Sequence, residues 1–312
     1  MKETFEIIVN PPEERLDLAL LGKLRERMPD LSRLAVKKLF AERKVLVNGK
    51  IANASLRLKP GRYPVELVNF DEGTLVKEAH PSPEGCFLPI IYEDDTLLIL
   101  HKHSGVPSLP HTNSETHTAV SAALARYPEL PRSPEKPLEP GLLHRLDTLT
   151  SGILAFAKTP TEYARLRALW KTPDVKKIYR AVATSAPETP PPPNLIQWPI
   201  AHDAKKAKLM RAIKEKNGIR GIRGEPLPAK TRIISHQSIS PVSRDFEIEI
   251  TTGVMHQIRC HFSAAGWPLA GDPIYGGTPA PRLWLHAWRL SLPLSSGELL
   301  HLEAALPPEW PV

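Results

Sequence analysis

The stretch GLLHRLDTLTSGILAFAKT, residues 141–159, decides how this chain is read. It holds one carboxylate, Asp147, with His144 and Arg145 just upstream and Thr150, Ser151 and Gly152 just beyond. The run ILAFA that follows is apolar throughout and reads as a buried strand. No proline interrupts the stretch, in keeping with elements that must place a side chain accurately. An aspartate between apolar flanks is costly to bury unless a cation or a full set of hydrogen bonds meets it. Asp147 is therefore either a turn- or helix-capping residue or a charged group with a chemical task. Spacing alone leaves both open.

Around this stretch, proline is unevenly spread. The chain has 34 prolines in 312 residues, roughly twice ordinary usage. Pro128, Pro131, Pro134, Pro137 and Pro140 recur at every third position and lead directly into Gly141. Period three is the polyproline II repeat, so this tract reads as an extended connector. A second tract, PETPPPP at 187–193, opens a long block through residue 230 that is rich in Lys and Arg. That block reads as a surface insertion or a mobile basic finger that closes on a partner.

Charge is segregated as well. The net charge is +7, from 41 Lys and Arg against 34 Asp and Glu. Residues 30–62 hold nine basic side chains against two acids, and residues 163–223 hold fourteen against four. Two separate basic blocks favour a polyanion partner, with nucleic acid first. No apolar run approaches the ~20 residues that cross a bilayer, and the opening MKETFEIIVNPPEE lacks an apolar core for a signal peptide. Cys86 and Cys260 are the only cysteines. They make neither a disulfide scaffold nor a cysteine zinc site, so a cytoplasmic protein with buried thiols is expected.

Residues 1–70 read as a small helix–helix–hairpin module. Leu16, Ala19, Leu20 and Leu24 are helically spaced before Pro29. Asp30 or Ser32 would cap a second helix with Leu34, Leu39 and Phe40 as its apolar face. Asn48-Gly49 then marks a hairpin and Pro60-Gly61 another turn before PVELV. RLD, LSRLAVKKLFAERKVLVNGK and LKPGRYPVEL, in this order, resemble the S4 RNA-binding domain. The resemblance implies that Arg33, Lys37, Lys38, Arg43 and Lys44 face structured RNA. An ordinary charged helix face is the plainer alternative.

Residues 71–86 read as a linker. Beyond it, IIYEDDTLLILHK predicts two strands about Asp94-Asp95, and Arg232–Ser235, Phe246–Ile250 and Val254–Phe262 are further β-prone runs. Helical spacing recurs in Ala119–Tyr127 and Thr161–Trp170. The expected fold class is α+β: an S4-like module at 1–70, the linker, and a mixed, largely antiparallel domain at 87–312.

HRLDTLTSG is similar to the signature of the RluA-type pseudouridine synthase family, HRLD-x-x-TSG. Three more segments agree with that family in order: YEDDTLLILHKHSGVPSLP (92–110), KKIYRAV (176–182) and TTGVMHQIRCHFSAAGWPLAGDPIYG (251–276). The tail RLWLHAWRLSLP fits too. The resemblance implies that Asp147 is the catalytic carboxylate and that Tyr179 stacks on the flipped base. It gives Arg259 the ion pair that orients Asp147, gives Arg145 the gap left by the extruded nucleotide, and puts Ile258 beneath the base. Two positions depart from the pattern: Val254 replaces an arginine, and His101-Lys102-His103-Ser104-Gly105 stands for Asn-Lys-Pro-Ser-Gly. His101 and His103 would share a strand face, but a third metal ligand is lacking, so no metal is expected.

Making pseudouridine breaks N1–C1′, turns the uracil and joins C5 to C1′, with no net redox change or hydrolysis. No cofactor is therefore expected; one carboxylate, a stacking ring and a basic surface suffice. The expected substrate is structured RNA, ribosomal first and transfer RNA second, acted on by a monomer. The rival reading is a non-catalytic RNA-binding or ribosome-assembly protein on the same scaffold. A hydrolase lacks its GxSxG, HExxH or phosphate-loop motif.

Overall fold

A computed structural model describes residues 2–29, 31–70, 78–112, 114–133, 136–206, 208–214 and 220–311. The chain separates into two compact units. One is Met1–Glu78 with Ser133–Leu138, and the other is Ala79–Arg132 with Glu139–Val312. Seven of the sixteen linker residues, 71–77, and the alternative cap Asp30 lie outside the described residues. Ala79 is buried in the larger unit's core and Ser82 donates its N–H to the Ser121 carbonyl. The end of the expected linker is thus packed chain.

In the smaller unit, helices Leu16–Arg25 and Arg33–Ala41 lie beside a sheet ordered Lys2–Val9, Gly61–Val68, Val45–Val47, Lys50–Ile51. Ser32 caps the second helix, its Oγ accepting from Ala35 N at 3.1 Å. Asn48 and Gly49 both have positive φ, as a two-residue hairpin turn requires. Leu16, Ala19, Leu20 and Leu24 are buried as expected. Leu34 is not: it is 74% exposed, and Val36 joins Leu39 and Phe40 on the inner face. Positions 36, 39 and 40 make one helical stripe, whereas 34 lies nearly opposite 36. A strand at Lys2–Val9 is not among the expectations, although Phe5, Ile7 and Val9 alternate inward along it.

The larger unit is built on a nine-stranded sheet. Its order is Leu195–Ile196, Thr231–Ser240, Ser243–Ile250, Lys176–Thr184, Leu285–Pro293, Ser151–Ala157, Leu97–Lys102 and Ile90–Glu93, with Leu299–Glu303 also paired to Leu285–Pro293. All pairings are antiparallel except His286–Ala287 with Ser151–Gly152. At that junction a Cβ on Gly152 would lie 2.2 Å from the Ala287 carbonyl oxygen, so only glycine admits the approach. Helices Ala119–Arg126 and Pro160–Leu169 fall where their spacing predicts, capped by Thr118 and Thr159.

Two expectations are corrected. Val254–Phe262 is not a strand: Gln257–Ala264 is a helix. Every residue from Gln257 to Phe262 is buried, and Ile258, Cys260 and Phe262 alternate with polar residues as a strand would. The block at 187–230 is not simply a loose finger. Ile200–Asp203 pairs with Met210–Ala212 and Ile222–Leu227 in a small sheet. Ile200 and Met210 anchor it against Cys260 and Tyr275. Lys205, Lys206, Lys208 and Arg211 stay exposed on it, while residues 207 and 215–219 lie outside the described chain.

Candidate active site

Asp147 sits in the turn that precedes strand Ser151–Ala157, its main-chain carbonyl accepting from Thr150 N at 3.0 Å. Residues 102–108 hold this turn. Lys102 Nζ donates to Thr148 O at 3.1 Å and Gly105 N to the same oxygen at 2.8 Å. Ser104 Oγ donates to Leu149 O at 2.7 Å, and Ser108 Oγ to Leu146 O at 2.6 Å. Lys102 is fully buried, its ammonium also bound to the carbonyls of His103 and Val106. The departures at His101 and His103 leave this scaffold intact. Their rings meet edge to face at 5.9 Å, and no group of three His, Cys, Asp or Glu side chains among the described residues is placed to hold a metal.

The carboxylate of Asp147 is one quarter exposed and meets Arg259 Nη1 at 2.8 Å through Oδ2. Arg259 comes from the helix Gln257–Ala264 and is itself buried. Its Nε and Nη2 grip Asp272 bidentately, at 2.7 and 2.9 Å. Oδ1 of Asp272 also accepts from the N–H groups of Ile274 and Tyr275. Burial works to raise the Asp272 carboxyl, but the Arg259 guanidinium and those two N–H groups outweigh it and hold it below the ordinary carboxylate value. The turn that delivers Asp272 depends on Gly271, at φ +78, where a Cβ would collide with the Arg282 carbonyl.

Gln257 fastens the start of the helix. Its Oε1 accepts from Thr252 Oγ1 and Val254 N, and its Nε2 donates to Lys230 O and Thr231 Oγ1. Val254 lies half-buried against the cluster of Cys260 and Tyr275, so an apolar contact occupies the position where the resemblance has an arginine.

Tyr179 lies on the central strand Lys176–Thr184, where the pairing to Leu285–Pro293 shifts register between Ile178 and Tyr179. Such an irregularity re-aims a side chain. The ring is 7% exposed. Burial, and then the negative charge of Asp147, push its phenol up from the ordinary tyrosine value. Its hydroxyl makes no protein hydrogen bond among the described residues.

Asp147, Tyr179 and Arg259 thus converge, with Ile258 buried in the same core. Arg145 points outward: its side chain is 62% exposed, and Nη1 is 3.6 Å from Glu139. In the smaller unit, Lys37, Lys38 and Arg43 are exposed, although Lys38 and Lys44 lie 3.6 and 2.7 Å from Glu42. Arg33 is partly committed. Its guanidinium bonds the buried Asp17 at 3.0 and 3.2 Å, opposite Arg15. Sequence reasoning assigned no task to Asp272, Tyr275, His256 or Lys102, although all four lie inside the quoted motifs. The signal for Asp272 was available: a lone acid in GDPIYG close to the HQIR arginine.

This arrangement offers a charged carboxylate with an anchored counter-ion beside an apolar wall and a ring, suited to nucleophilic or base chemistry on a planar substrate. A family model described as RNA pseudouridylate synthase matches residues 96–264. Ribosomal large subunit pseudouridine synthase D of Neisseria meningitidis serogroup B is 32% identical over 309 residues, 94% of this chain and 76% of that protein. The protein of the same name from Escherichia coli K12 is 28% identical over 281 residues, 90% of this chain and 79% of that one. Among solved structures, human RNA pseudouridylate synthase domain containing 1 superposes with a TM-score of 0.54 at 23% identity, over 70% of this chain and 84% of that chain. That likeness concerns the fold.

Proposed function

We propose, from the premise that this chain belongs to the RNA pseudouridylate synthase family, that it converts a uridine of ribosomal RNA to pseudouridine with Asp147 as its catalytic carboxylate. The observation that carries the reading is the Asp147–Arg259–Asp272 chain, with the Tyr179 ring beside it. The reaction moves the glycosidic bond from N1 to C5 and a proton from C5 to N1, so the net change is isomerisation. Asp147, partly open and paired on Oδ2, is available to act on the nucleotide as nucleophile or base.

A uridine inside folded RNA reaches such a carboxylate only when flipped out of its stack. Arg145, exposed two residues before Asp147, suits the gap left behind. Tyr179 suits the face of the extruded uracil, with Ile258 beneath it. The N-terminal unit acts as an S4 domain, gripping RNA with Lys37, Lys38, Arg43 and Lys44. Arg33 contributes less because Asp17 holds it. The exposed lysines of the small sheet at 200–227 add to the grip. Ribosomal RNA is chosen because relatives similar over most of this chain carry that substrate in their names. Among the described residues no helix is long and apolar enough to cross a membrane, and we place the protein in the cytoplasm, where that RNA is assembled.

Pseudouridine mapping on ribosomal and transfer RNA, from cells with and without the protein, tests this. The expected result is at least one ribosomal position lost. Loss confined to transfer RNA overturns the substrate, and loss nowhere favours a binding protein without chemistry.

A further inference from the structure

His256 faces Asp147 without a share in the chemistry assigned to Asp147, Tyr179 and Arg259. Its Nε2 lies 3.8 Å from Asp147 Oδ2, just beyond hydrogen-bond length. The residue stands at the start of helix Gln257–Ala264 in the left-handed region, at φ 57. A non-glycine residue held there is strained, and such strain gathers at functional positions.

Its tautomer follows from its neighbour. Nδ1 is 3.0 Å from the Tyr275 hydroxyl oxygen, which accepts the N–H of Met210 at 2.9 Å. Among the described residues Nδ1 is the one acceptor in reach of the phenol's proton, so Tyr275 donates to it. The neutral imidazole then carries its proton on Nε2, aimed at Asp147. Burial lowers the imidazole's pKa and favours that neutral form. Of the charged and titratable groups facing it, Asp147 and Asp272 oppose the shift and Arg259 and His202 reinforce it.

We propose that His256 is a positioning residue for Asp147. Arg259 and His256 both approach Oδ2, whereas no protein donor binds Oδ1 among the described residues. A single 2.8 Å hydrogen bond, from Arg259 Nη1, lets the carboxylate pivot. A second donor on the same oxygen stops the pivot and leaves Oδ1 turned to the nucleotide. Closing the 3.8 Å gap as RNA fills the site supplies that donor. The inference rests on the reading of Asp147 as the catalytic carboxylate.

His256→Asn tests it. Asparagine tolerates the left-handed backbone and keeps a polar group toward Tyr275, but removes the Nε2 donor. His256→Gln returns a donor at about the same reach. In steady-state assays on the substrate RNA, kcat for His256→Asn should fall at least about tenfold, as misplaced reacting groups do. KM should stay within about twofold, and His256→Gln should recover part of the activity. Tyr275→Phe, which frees the tautomer while keeping the ring, should lower kcat in the same way and decides the matter if His256→Asn does not fold. Wild-type kcat in His256→Asn, or in Tyr275→Phe when that variant decides, overturns the proposal. So does an effect confined to KM, or no recovery in His256→Gln. Asp147→Asn run in parallel separates the claims: if it retains activity, the reading of Asp147 fails. If it is inactive while His256→Asn is not, only the role of His256 fails.

Discussion

Arg259 lends Asp147 a single nitrogen, Nη1 at 2.8 Å, and commits its other two to Asp272 at 2.7 and 2.9 Å. The division matters. A guanidinium shared equally would lock both Asp147 oxygens in a fork. Fastened from behind, it orients one oxygen and leaves the other without a protein donor among the described residues. On the proposed role of Asp147, Asp272 is therefore part of the site, and the turn after Gly271 brings it there.

Asp272→Asn should leave the buried guanidinium half-compensated, destabilising the protein by about 3–5 kcal/mol and slowing pseudouridine formation by about 10²-fold. Because the folded carboxyl sits below its ordinary value of 3.8, its stabilisation is present above that pH and is lost as pH falls through the folded value. Urea unfolding of the two proteins should show a gap at pH 7 that narrows below pH 4. An unchanged gap would place the stabilisation elsewhere.

Tyr179→Phe should separate packing from chemistry. The hydroxyl has no protein partner among the described residues, so stability should change by less than about 1 kcal/mol. If the hydroxyl serves the nucleotide, the rate falls while RNA affinity holds. Tyr179→Ala should cost about 3–5 kcal/mol by opening a cavity. Thermal unfolding and single-turnover rates distinguish the two effects.

In the N-terminal unit, Arg33 and its basic neighbours should part company. Burial works to raise the carboxyl of Asp17, but Arg15 and Arg33 outweigh it and hold it low. Arg33→Ala should therefore chiefly destabilise the unit. The combined change of Lys37, Lys38 and Arg43 to alanine should leave stability within about 0.5 kcal/mol and weaken RNA binding. It should also flatten the salt dependence, by about 0.7–0.9 for each phosphate that is no longer neutralised. Filter binding across salt concentrations reads the slope, and an unchanged slope would remove these side chains from the interface.

Legibility in the sequence followed burial geometry. Strands Leu97–Lys102 and Ser151–Ala157 declare themselves as short apolar runs. Helix Gln257–Ala264 does not, because Ile258, Cys260 and Phe262 alternate as a strand would while the polar residues between them are buried too. Leu34 misled because the helix phase is set by Val36, Leu39 and Phe40 together. Arg33 counted as a free cation until the fold brought Asp17, sixteen residues earlier, beneath it. The site was half legible for the same reason. Asp147, Tyr179 and Arg259 stand in motifs that resemblance could interpret. The task of Asp272, thirteen residues from Arg259, and the aim of His256 exist only once a helix start and a turn meet.

The central claim is that Asp147 carries the chemistry and not the binding. Its most direct measurement is tritium release from ribosomal RNA labelled at uridine C5, for the wild type and Asp147→Asn, beside RNA affinity. The account predicts release by the wild type, none above background by the variant, and affinities within about threefold, since a carboxylate-to-amide change leaves the cations that grip RNA untouched. Release by Asp147→Asn at the wild-type rate would contradict it.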